Sequence, residues 1–244
     1  MVRLHVSAII ACAMEEELAP FLKHSKDIRV ALPPRSGNDT QAFYLASLGG
    51  VQIALVRSGI GLTNAAAAAE RALENFEAPL YVLAGTTGGL REDVAVREVV
   101  AATASRYLDA DATAFGYKPG QIPQMPVQYE SHLSVPEGTA NWVGEVVSGN
   151  SFVTAHNVGD ARSRFPRALA VDMETVAAAQ VCYLHDIPWL SLRAVSDLCG
   201  PAAGQEFHVQ VETAAELSYR AVRKFLLSVR DDKWSPEQGS SHGR

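Results

Sequence analysis

Short apolar segments that each end in small or polar residues constrain the fold of this chain more than any other feature. Such segments are typical of buried strands. They run from Val6 to Cys12, from Gln52 to Arg57, up to Ala84, up to about Asp172, and through "WLSLRAVSD" to Asp197. Helical patterns follow two of them: an alanine-rich stretch whose N-cap we place at Thr63 or Asn64, and, after the last strand, an amphipathic stretch from about Val211 to Val229.

Strands that alternate with helices predict an α/β fold in which a central twisted sheet, mostly parallel or mixed, is flanked by helices. No internal repeat or long linker interrupts the 244 residues, and α/β folds of this size commonly form one domain. We therefore predict a single domain over residues 1–230. The remaining residues 231–244, "DDKWSPEQGSSHGR", form a polar C-terminal tail in this interpretation.

Composition limits the partners and the compartment of the protein. With 21 basic and 27 acidic residues the net charge is −6, which provides no basic surface for nucleic acid or an anionic membrane. No apolar run reaches the length of a membrane span. The three cysteines fit neither a disulfide framework nor a metal motif; we interpret Cys12 and Cys182 as core thiols and Cys199 as an incidental loop residue, all reduced in a cytoplasmic protein. Residues 1–17 loosely resemble a secretory signal, but their apolar stretch is at the short limit for one, and we interpret them as containing a buried first strand.

Acidic residues stand at three of the predicted strand ends. Glu15 to Glu17 follow the first strand, and Pro20 argues that the next helix starts no earlier than about Glu16. Glu174 and Asp197 stand at two later strand ends. Ligands of such sheets bind beyond the carboxyl ends of the strands, so we expect these acids to meet there, beside the glycine-rich segments "SGIG" and "GTTGG".

The clustered acids fit acid–base chemistry on a polar, neutral ligand. The sequence has no Asp-x-Asp or His-x-x-Glu spacing for a metal, no Gly-x-Ser-x-Gly nucleophile motif and no Walker lysine. Hydrolysis of a glycosidic bond needs one acid to assist the leaving group and one carboxylate to activate water. We therefore predict neither a metal nor an organic cofactor, although each acid taken singly could have a structural role.

Six segments together resemble the 5′-methylthioadenosine/S-adenosylhomocysteine nucleosidases of the nucleoside phosphorylase superfamily. They are "AMEEEL", "SGIG", "RYLDADATAFGYKPGQIP", "VSGNSFV", "AVDMETVAAAQVC" and "RAVSD", and they extend to about Asp197. The resemblance implies a nucleoside phosphorylase-like fold, hydrolysis of 5′-thio-substituted adenine nucleosides, a role in methionine salvage, and a cytoplasmic homodimer.

The resemblance also implies roles for single residues. Glu17 would activate water, Asp197 would protonate N7 of adenine, and Glu174 would hold the ribose hydroxyls and stabilise the oxocarbenium-like transition state. Phe115 and Tyr117 would reach the site of the neighbouring subunit. The remaining substrate-binding residues would be Ile60 and Met173 at the thio-substituent, Phe152 and Val153 at adenine, Thr86 (commonly serine in the family) near the ribose, and Gly88 and Ser196.

Three alternatives stay open from the sequence. A phosphorylase would bring phosphate to Glu15–Glu17, where no lysine or arginine lies between Arg3 and Lys23 to bind it. A nucleoside-binding module without catalysis would not need three buried acids. A futalosine-type hydrolase would differ mainly in the 5′ pocket, and "LCGPAAGQEF", which is shorter and less polar than the usual segment after Asp197, leaves the accepted 5′-substituent open.

Overall fold

The structure of the protein is a computed structural model that describes residues 3–231. Apart from Asp231, the predicted polar tail over residues 231–244 lies outside the described residues, so the domain boundary stays a prediction.

The described chain alternates strands and helices from end to end. The strands are β1 (Leu4–His5), β2 (Ala8–Cys12), β3 (Lys26–Leu32), β4 (Ala42–Leu48), β5 (Val51–Arg57), β6 (Phe76–Glu77), β7 (Tyr81–Gly89), β8 (Val99–Tyr107), β9 (Tyr129–Glu130), β10 (Trp142–Ser148), β11 (Ala170–Asp172) and β12 (Trp189–Asp197). The helices are α1 (Glu15–His24), α2 (Leu62–Asn75), α3 (Val158–Arg164), α4 (Thr175–Leu184) and α5 (Ala203–Asp231), and one 3-10 turn spans Thr113–Phe115.

One mixed sheet carries the fold, with the order β11-β10-β8-β12-β7-β2-β5-β4-β3, and the short strand β9 also pairs with β8. The central strands β12, β7, β2 and β5 are mutually parallel. β8 runs antiparallel to β12, β4 runs antiparallel to β5, and the edge strand β3 runs antiparallel to β4. β11 also pairs with β7, so this half of the sheet closes into a ring of strands. The predicted α/β fold with a mixed sheet and flanking helices is confirmed.

Helices cover both faces of the sheet, which is why the central strands read as unbroken apolar runs. All five residues of β2 and all nine of β12 are buried. Successive side chains of a strand point to opposite faces: Ile9 packs in the core cluster that includes α2 and α4, and Ile10 packs in the cluster that includes α1 and α5.

The segment "GTTGG" belongs to strand β7, whereas the sequence interpretation ended this strand at Ala84. β7 continues to Gly89 because Thr86 and Thr87 pair with Ala194 and Val195 of β12, and Gly88 and Gly89 pair with β11. These partners lie about a hundred residues further along the chain, so local sequence gives no sign of them. The strand bends at Gly85, where φ is +137°.

Three predicted helix starts were also displaced. α2 begins at Leu62 after Gly61 at φ +100°, and not at Thr63 or Asn64, because side chains from elsewhere in the fold accept its first N–H groups. α1 begins at Glu15, since the Glu17 carboxylate accepts the Met14 N–H, and it contains Pro20 in its second turn. α5 begins at Ala203, eight residues before the predicted Val211.

Candidate active site

A cavity of about 350 Å³ opens at the carboxyl ends of β2, β7, β11 and β12. Ten of the twelve residues that the sequence analysis assigned to the site line it: Glu17, Ile60, Thr86, Gly88, Phe152, Val153, Met173, Glu174, Ser196 and Asp197. The wall also contains residues that the sequence analysis did not assign, notably Asp172, Arg193, Cys199, Phe207 and His208. The acids predicted to meet therefore do share one cavity.

The carboxylate of Glu17 is buried and held by four donors. Its Oε2 accepts the N–H groups of Ala13 at 2.9 Å and Met14 at 3.2 Å. Its Oε1 accepts the Thr86 N–H at 2.7 Å and the Thr86 hydroxyl at 2.9 Å. A carboxylate offers about four lone-pair positions, so this one is fully occupied. Of the three consecutive glutamates, Glu17 is the one that points into the cavity, whereas Glu15 and Glu16 are exposed.

Gly85 makes this position of Glu17 sterically accessible. A Cβ at residue 85 would lie 2.3 Å from Glu17 Oε1 and 2.4 Å from its Cδ. At this glycine the backbone of β7 therefore approaches the side chain of Glu17 closely.

Arg193, a buried residue of β12, lies at the centre of the acidic residues. Its Nη2 is 3.2 Å from Glu174 Oε2, its Nε is 3.3 Å from Asp172 Oδ2, and its Nη1 is 4.0 Å from Glu17 Oε1. Nη1 also donates to the Thr86 carbonyl at 2.9 Å. Burial lowers the pKa of Arg193, but the carboxylates of Asp172, Glu174 and Glu17 more than reverse this, so its net pKa is raised and it stays charged.

Sequence reasoning missed Arg193, although a signal was present. It stands inside an otherwise uncharged strand that ends at Asp197, and a buried charge requires a partner. The guanidinium fills the space between the acids, and no group of His, Cys, Asp and Glu in residues 3–231 is arranged to hold a metal ion.

Glu174 is buried at the N-terminus of α4 and faces the N-terminus of α2. Its Oε1 accepts the Gly61 N–H at 2.9 Å. Burial raises the pKa of Glu174 to about 7, against the lowering effect of Arg193, and the charges of Asp172 and Glu17 raise it further. Glu174 therefore titrates near neutral pH although Arg193 lies beside it.

Asp172 is a second residue that sequence reasoning named only as a strand end. Its Oδ1 accepts the Ser148 hydroxyl at 2.6 Å and the N–H groups of Glu174 at 3.1 Å and Thr175 at 3.0 Å. Its Oδ2 accepts the Thr175 hydroxyl and faces Arg193. Asp172 therefore fixes the first turn of α4, and with it the backbone of Glu174.

Asp197 occupies a different electrostatic setting at the end of β12. Its Oδ2 accepts the Ser196 hydroxyl at 2.9 Å, and its Oδ1 accepts the Cys199 N–H at 3.0 Å. None of its ion-pair or hydrogen-bond contacts within residues 3–231 involves a lysine or arginine. Burial raises its pKa above the ordinary value for aspartic acid, although the two hydrogen bonds act in the opposite direction.

Cys199 is not an incidental loop residue, as the sequence interpretation had it. It is buried in the cavity wall at φ +56°, and its N–H holds Asp197. A Cβ at Gly88 would lie 2.7 Å from its Sγ and 3.4 Å from Asp197 Oδ1. Gly88 is therefore required for the packing of this turn against β7. Burial and the charge of Asp197 raise the pKa of the Cys199 thiol to about 12, so it remains protonated.

Apolar side chains form the outer wall of the cavity. Phe152 and Ile60 are about half exposed at 45% and 50%, and Val153 is buried. The ring of Phe207, from the first turns of α5, packs edge-to-face on Phe152 with ring centroids 6.0 Å apart. The segment after Asp197 thus supplies a wall residue that the sequence analysis did not assign.

The two residues expected to act across a subunit interface do not line the cavity. Phe115 ends the 3-10 turn and is 84% exposed, and Tyr117 follows it half-buried. Their predicted contribution to a neighbouring subunit stays a prediction. No helix within residues 3–231 combines the length and the apolar character that crossing a bilayer requires.

Comparison with known proteins places this geometry among nucleoside-cleaving enzymes. The family model of the phosphorylase superfamily matches residues 7–227. The 5′-methylthioadenosine/S-adenosylhomocysteine nucleosidase of Staphylococcus saprophyticus is 37% identical over 197 residues, which are 77% of this chain and 86% of that protein.

Solved structures of nucleosidases are similar to this chain in fold as well as in sequence. The nucleosidase of that name from Neisseria meningitidis, in complex with methylthio-immucillin-A, is 32% identical with a TM-score of 0.84, covering 91% of this chain and 99% of that one. The S-adenosylhomocysteine nucleosidase of Streptococcus pyogenes, in complex with 5-methylthiotubericidin, is 28% identical with a TM-score of 0.83, covering 94% and 98%.

Proposed function

Because the chain belongs to the 5′-methylthioadenosine/S-adenosylhomocysteine nucleosidases of the phosphorylase superfamily, we propose how its own residues carry out their reaction. The protein is an N-glycosyl hydrolase that cleaves methylthioadenosine and S-adenosylhomocysteine to adenine and the thioribose product. The observation that carries the mechanism is the contrast between Asp197, an acid with a raised pKa and no cationic partner, and Glu17, a carboxylate beside Arg193.

Asp197 is the general acid in this mechanism. Its raised pKa lets it hold a proton closer to neutral pH than an ordinary aspartic acid does. It donates that proton to N7 of adenine while the bond between C1′ and N9 breaks, so the base leaves without negative charge. The Ser196 hydroxyl and the Cys199 N–H fix the direction of the carboxyl group.

Glu17 is the base that takes a proton from the attacking water as the water oxygen bonds to C1′. All four of its lone-pair positions are occupied, three by backbone N–H groups and one by the Thr86 hydroxyl. The hydroxyl is the donor that can turn away without any movement of the backbone. Water therefore takes the place of the Thr86 hydroxyl at Oε1.

Glu174 binds the ribose hydroxyls and stabilises positive charge that develops on the sugar. The Gly61 N–H and Arg193 hold its two oxygens, so its direction is fixed before substrate arrives. Met173, Gly88 and Ser196 line the same cavity. Phe152 stacks on adenine and Val153 reads its edge, while Ile60 and Met173 border the 5′-substituent.

Hydrolysis fits this site better than phosphorolysis. Phosphate, if it attacked the sugar in place of water, would need a free cation next to Glu17. Among the described residues that line the cavity, Arg193 is the only lysine or arginine, and each of its three nitrogens faces a carboxylate or a carbonyl. Water needs no such cation.

Three further properties belong to the same proposal. The protein forms a homodimer in which Phe115 and Tyr117 reach the neighbouring site, supported by the 84% exposure of Phe115. It is cytoplasmic, supported by the three free thiols within the described chain. Its products enter methionine salvage, supported by its family membership.

The function is tested by incubating the protein with methylthioadenosine, with and without inorganic phosphate, and measuring free adenine and the sugar product. We expect adenine and unphosphorylated methylthioribose at equal rates in both. Strict dependence on phosphate, with a sugar phosphate as product, would identify a phosphorylase. Binding without turnover would identify a nucleoside-binding module.

A competition assay decides the substrate. Methylthioadenosine, S-adenosylhomocysteine and a futalosine-type nucleoside are compared by kcat/KM. We expect the two thio-substituted adenine nucleosides to be preferred. A higher kcat/KM for the futalosine-type nucleoside would assign the protein to the sibling hydrolase.

A further inference from the structure

Ser218 is a buried polar residue on the face of α5 that packs against the sheet. Its hydroxyl donates to the Leu192 carbonyl of β12 at 2.6 Å and accepts the Gly85 N–H of β7 at 2.8 Å. Its helical neighbours toward the core, Ala214, Ala215 and Val222, are fully buried and apolar. The one polar side chain in this group thus clamps the backbones of two adjacent strands.

The two clamped peptides directly precede the residues that contact Glu17. Leu192 precedes Arg193, and Gly85 precedes Thr86, which donates twice to Glu17 Oε1. Gly85 and Arg193 are also register partners in the ladder between β7 and β12. Ser218 therefore acts on the backbone one residue before each of these contacts.

The bend at Gly85 has little steric tolerance. With φ at +137° and Glu17 Oε1 only 2.3 Å from the position of a Cβ, a small shift of β7 would move it against the carboxylate or withdraw the Thr86 donors. The Thr86 carbonyl, which accepts from Arg193 Nη1 at 2.9 Å, would move with them.

We propose that Ser218 is a positioning residue for the reaction, which fixes the bend of β7 and so the orientation of Thr86 and Arg193 toward Glu17. The inference rests on the proposed function of Glu17 as the base. Ser218 itself does not touch the substrate cavity, and it acts through the two backbones that it joins.

The test compares Ser218→Ala with Ser228→Ala. Ser228 is a serine of the same helix whose hydroxyl donates within α5, to the Phe225 carbonyl at 2.7 Å, so its replacement removes a hydroxyl without touching β7 or β12. We expect kcat and kcat/KM of Ser218→Ala to fall together by roughly 10- to 100-fold, since a small misplacement of a catalytic group costs this much. Ser228→Ala should behave as wild type, and Ser218→Thr, which keeps the hydroxyl, should restore part of the loss.

Hydrogen–deuterium exchange of the peptide that contains residues 85–87 distinguishes a local loss of positioning from a general loss of protein stability. Exchange in that peptide should accelerate in Ser218→Ala and not in Ser228→Ala. Unchanged exchange, or accelerated exchange with the kcat of Ser228→Ala, would overturn the proposal. Ser218→Cys, of similar volume and with weaker hydrogen bonds, replaces Ser218→Ala if the latter does not fold. A wild-type protein that released no adenine would count against the proposed function alone, while the exchange comparison would still decide whether Ser218 holds the bend.

Discussion

At one end of the cavity Glu17, Asp172 and Glu174 lie within 4.0 Å of the Arg193 guanidinium, whereas at the other end Asp197 is held by a serine hydroxyl and a backbone N–H. Both groups stand at carboxyl ends of strands of one sheet and both are buried. They differ in whether a positive charge is buried with them.

This difference is the basis for the two kinds of acid–base work that we propose for one cavity. Burial raises the pKa of Glu174 to about 7 even beside Arg193. In general, however, a cation within a few ångströms favours the charged form of a carboxylate, and burial without a cation favours the protonated form. The Arg193 end therefore suits activation of water and stabilisation of a cationic sugar. The Asp197 end suits proton donation to the leaving base. Because the surroundings of each acid, and not its residue type, set its pKa, the sequence alone does not show which acid donates the proton.

The largest effect is expected from removing the Arg193 guanidinium, since it is the difference between the two ends of the cavity. Arg193→Met leaves three buried carboxylates unpaired, and loss of one partner of a buried ion pair costs about 3–5 kcal/mol. We expect the free energy of unfolding, measured by urea denaturation, to fall by that order, and adenine release to be lost.

Arg71→Met is the matched control for this variant. The Arg71 side chain is 6% exposed, against 4% for Arg193, and it pairs with Asp39 at 2.8 Å. Neither Arg71 nor Asp39 lines the cavity. We expect a comparable loss of stability with turnover retained under conditions where the variant is folded. If Arg193→Met kept its turnover, the organising role of Arg193 at the acids would be wrong.

Asp197→Asn tests the other end of the cavity. The amide keeps the shape but cannot deliver a proton, and loss of general-acid assistance typically costs about 10²–10⁴-fold in rate. We expect kcat to fall by that order while circular dichroism and inhibitor binding show an intact fold and pocket.

The pH dependence of kcat/KM sharpens the comparison between the two ends. Asp197→Asn should lose the limb on which activity falls as the acid is deprotonated, whereas Glu17→Gln should lose the limb on which activity rises as the base is deprotonated. Near-normal adenine release by Asp197→Asn at neutral pH would exclude Asp197 as the acid and leave catalysis to activation of the ribose.

The smallest effect is a gain of stability in Asp197→Asn. The pKa of Asp197 is raised in the folded state. As pH increases through the ordinary pKa of aspartic acid, Asp197 therefore ionises first in the unfolded state, and the folded state loses stability relative to it. The asparagine variant does not ionise.

The difference in unfolding free energy between Asp197→Asn and wild type should therefore become more favourable to the variant from acidic to neutral pH. Urea denaturation at both pH values measures it. Glu174, whose pKa is also raised, to about 7, contributes equally to both proteins and cancels in the difference. If the variant instead became less stable relative to wild type over the same change of pH, the charge of Asp197 would be shown to stabilise the folded state.

Local pattern alone predicted several strands of the central sheet. Apolar runs bounded by small residues placed β2, β5, β11 and β12 to within a few residues, because a strand covered on both faces must be apolar throughout. The same pattern put Glu17, Glu174 and Asp197 at strand ends, and parallel strands bring such ends together. Their individual roles, and the subunit contact of Phe115, came from resemblance and stay predictions.

Tertiary structure decided the contacts that the acids make. Thr86 lies 69 residues from Glu17, Gly61 lies 113 from Glu174, and Ser218 lies 133 from Gly85 along the chain. The ion pairs of Arg193 and the extension of β7 to Gly89 also depend on distant pairings. Helix and strand periodicity reports only which face of a segment is apolar, whereas the charge state and direction of a buried side chain depend on whichever distant donor or cation the fold places beside it.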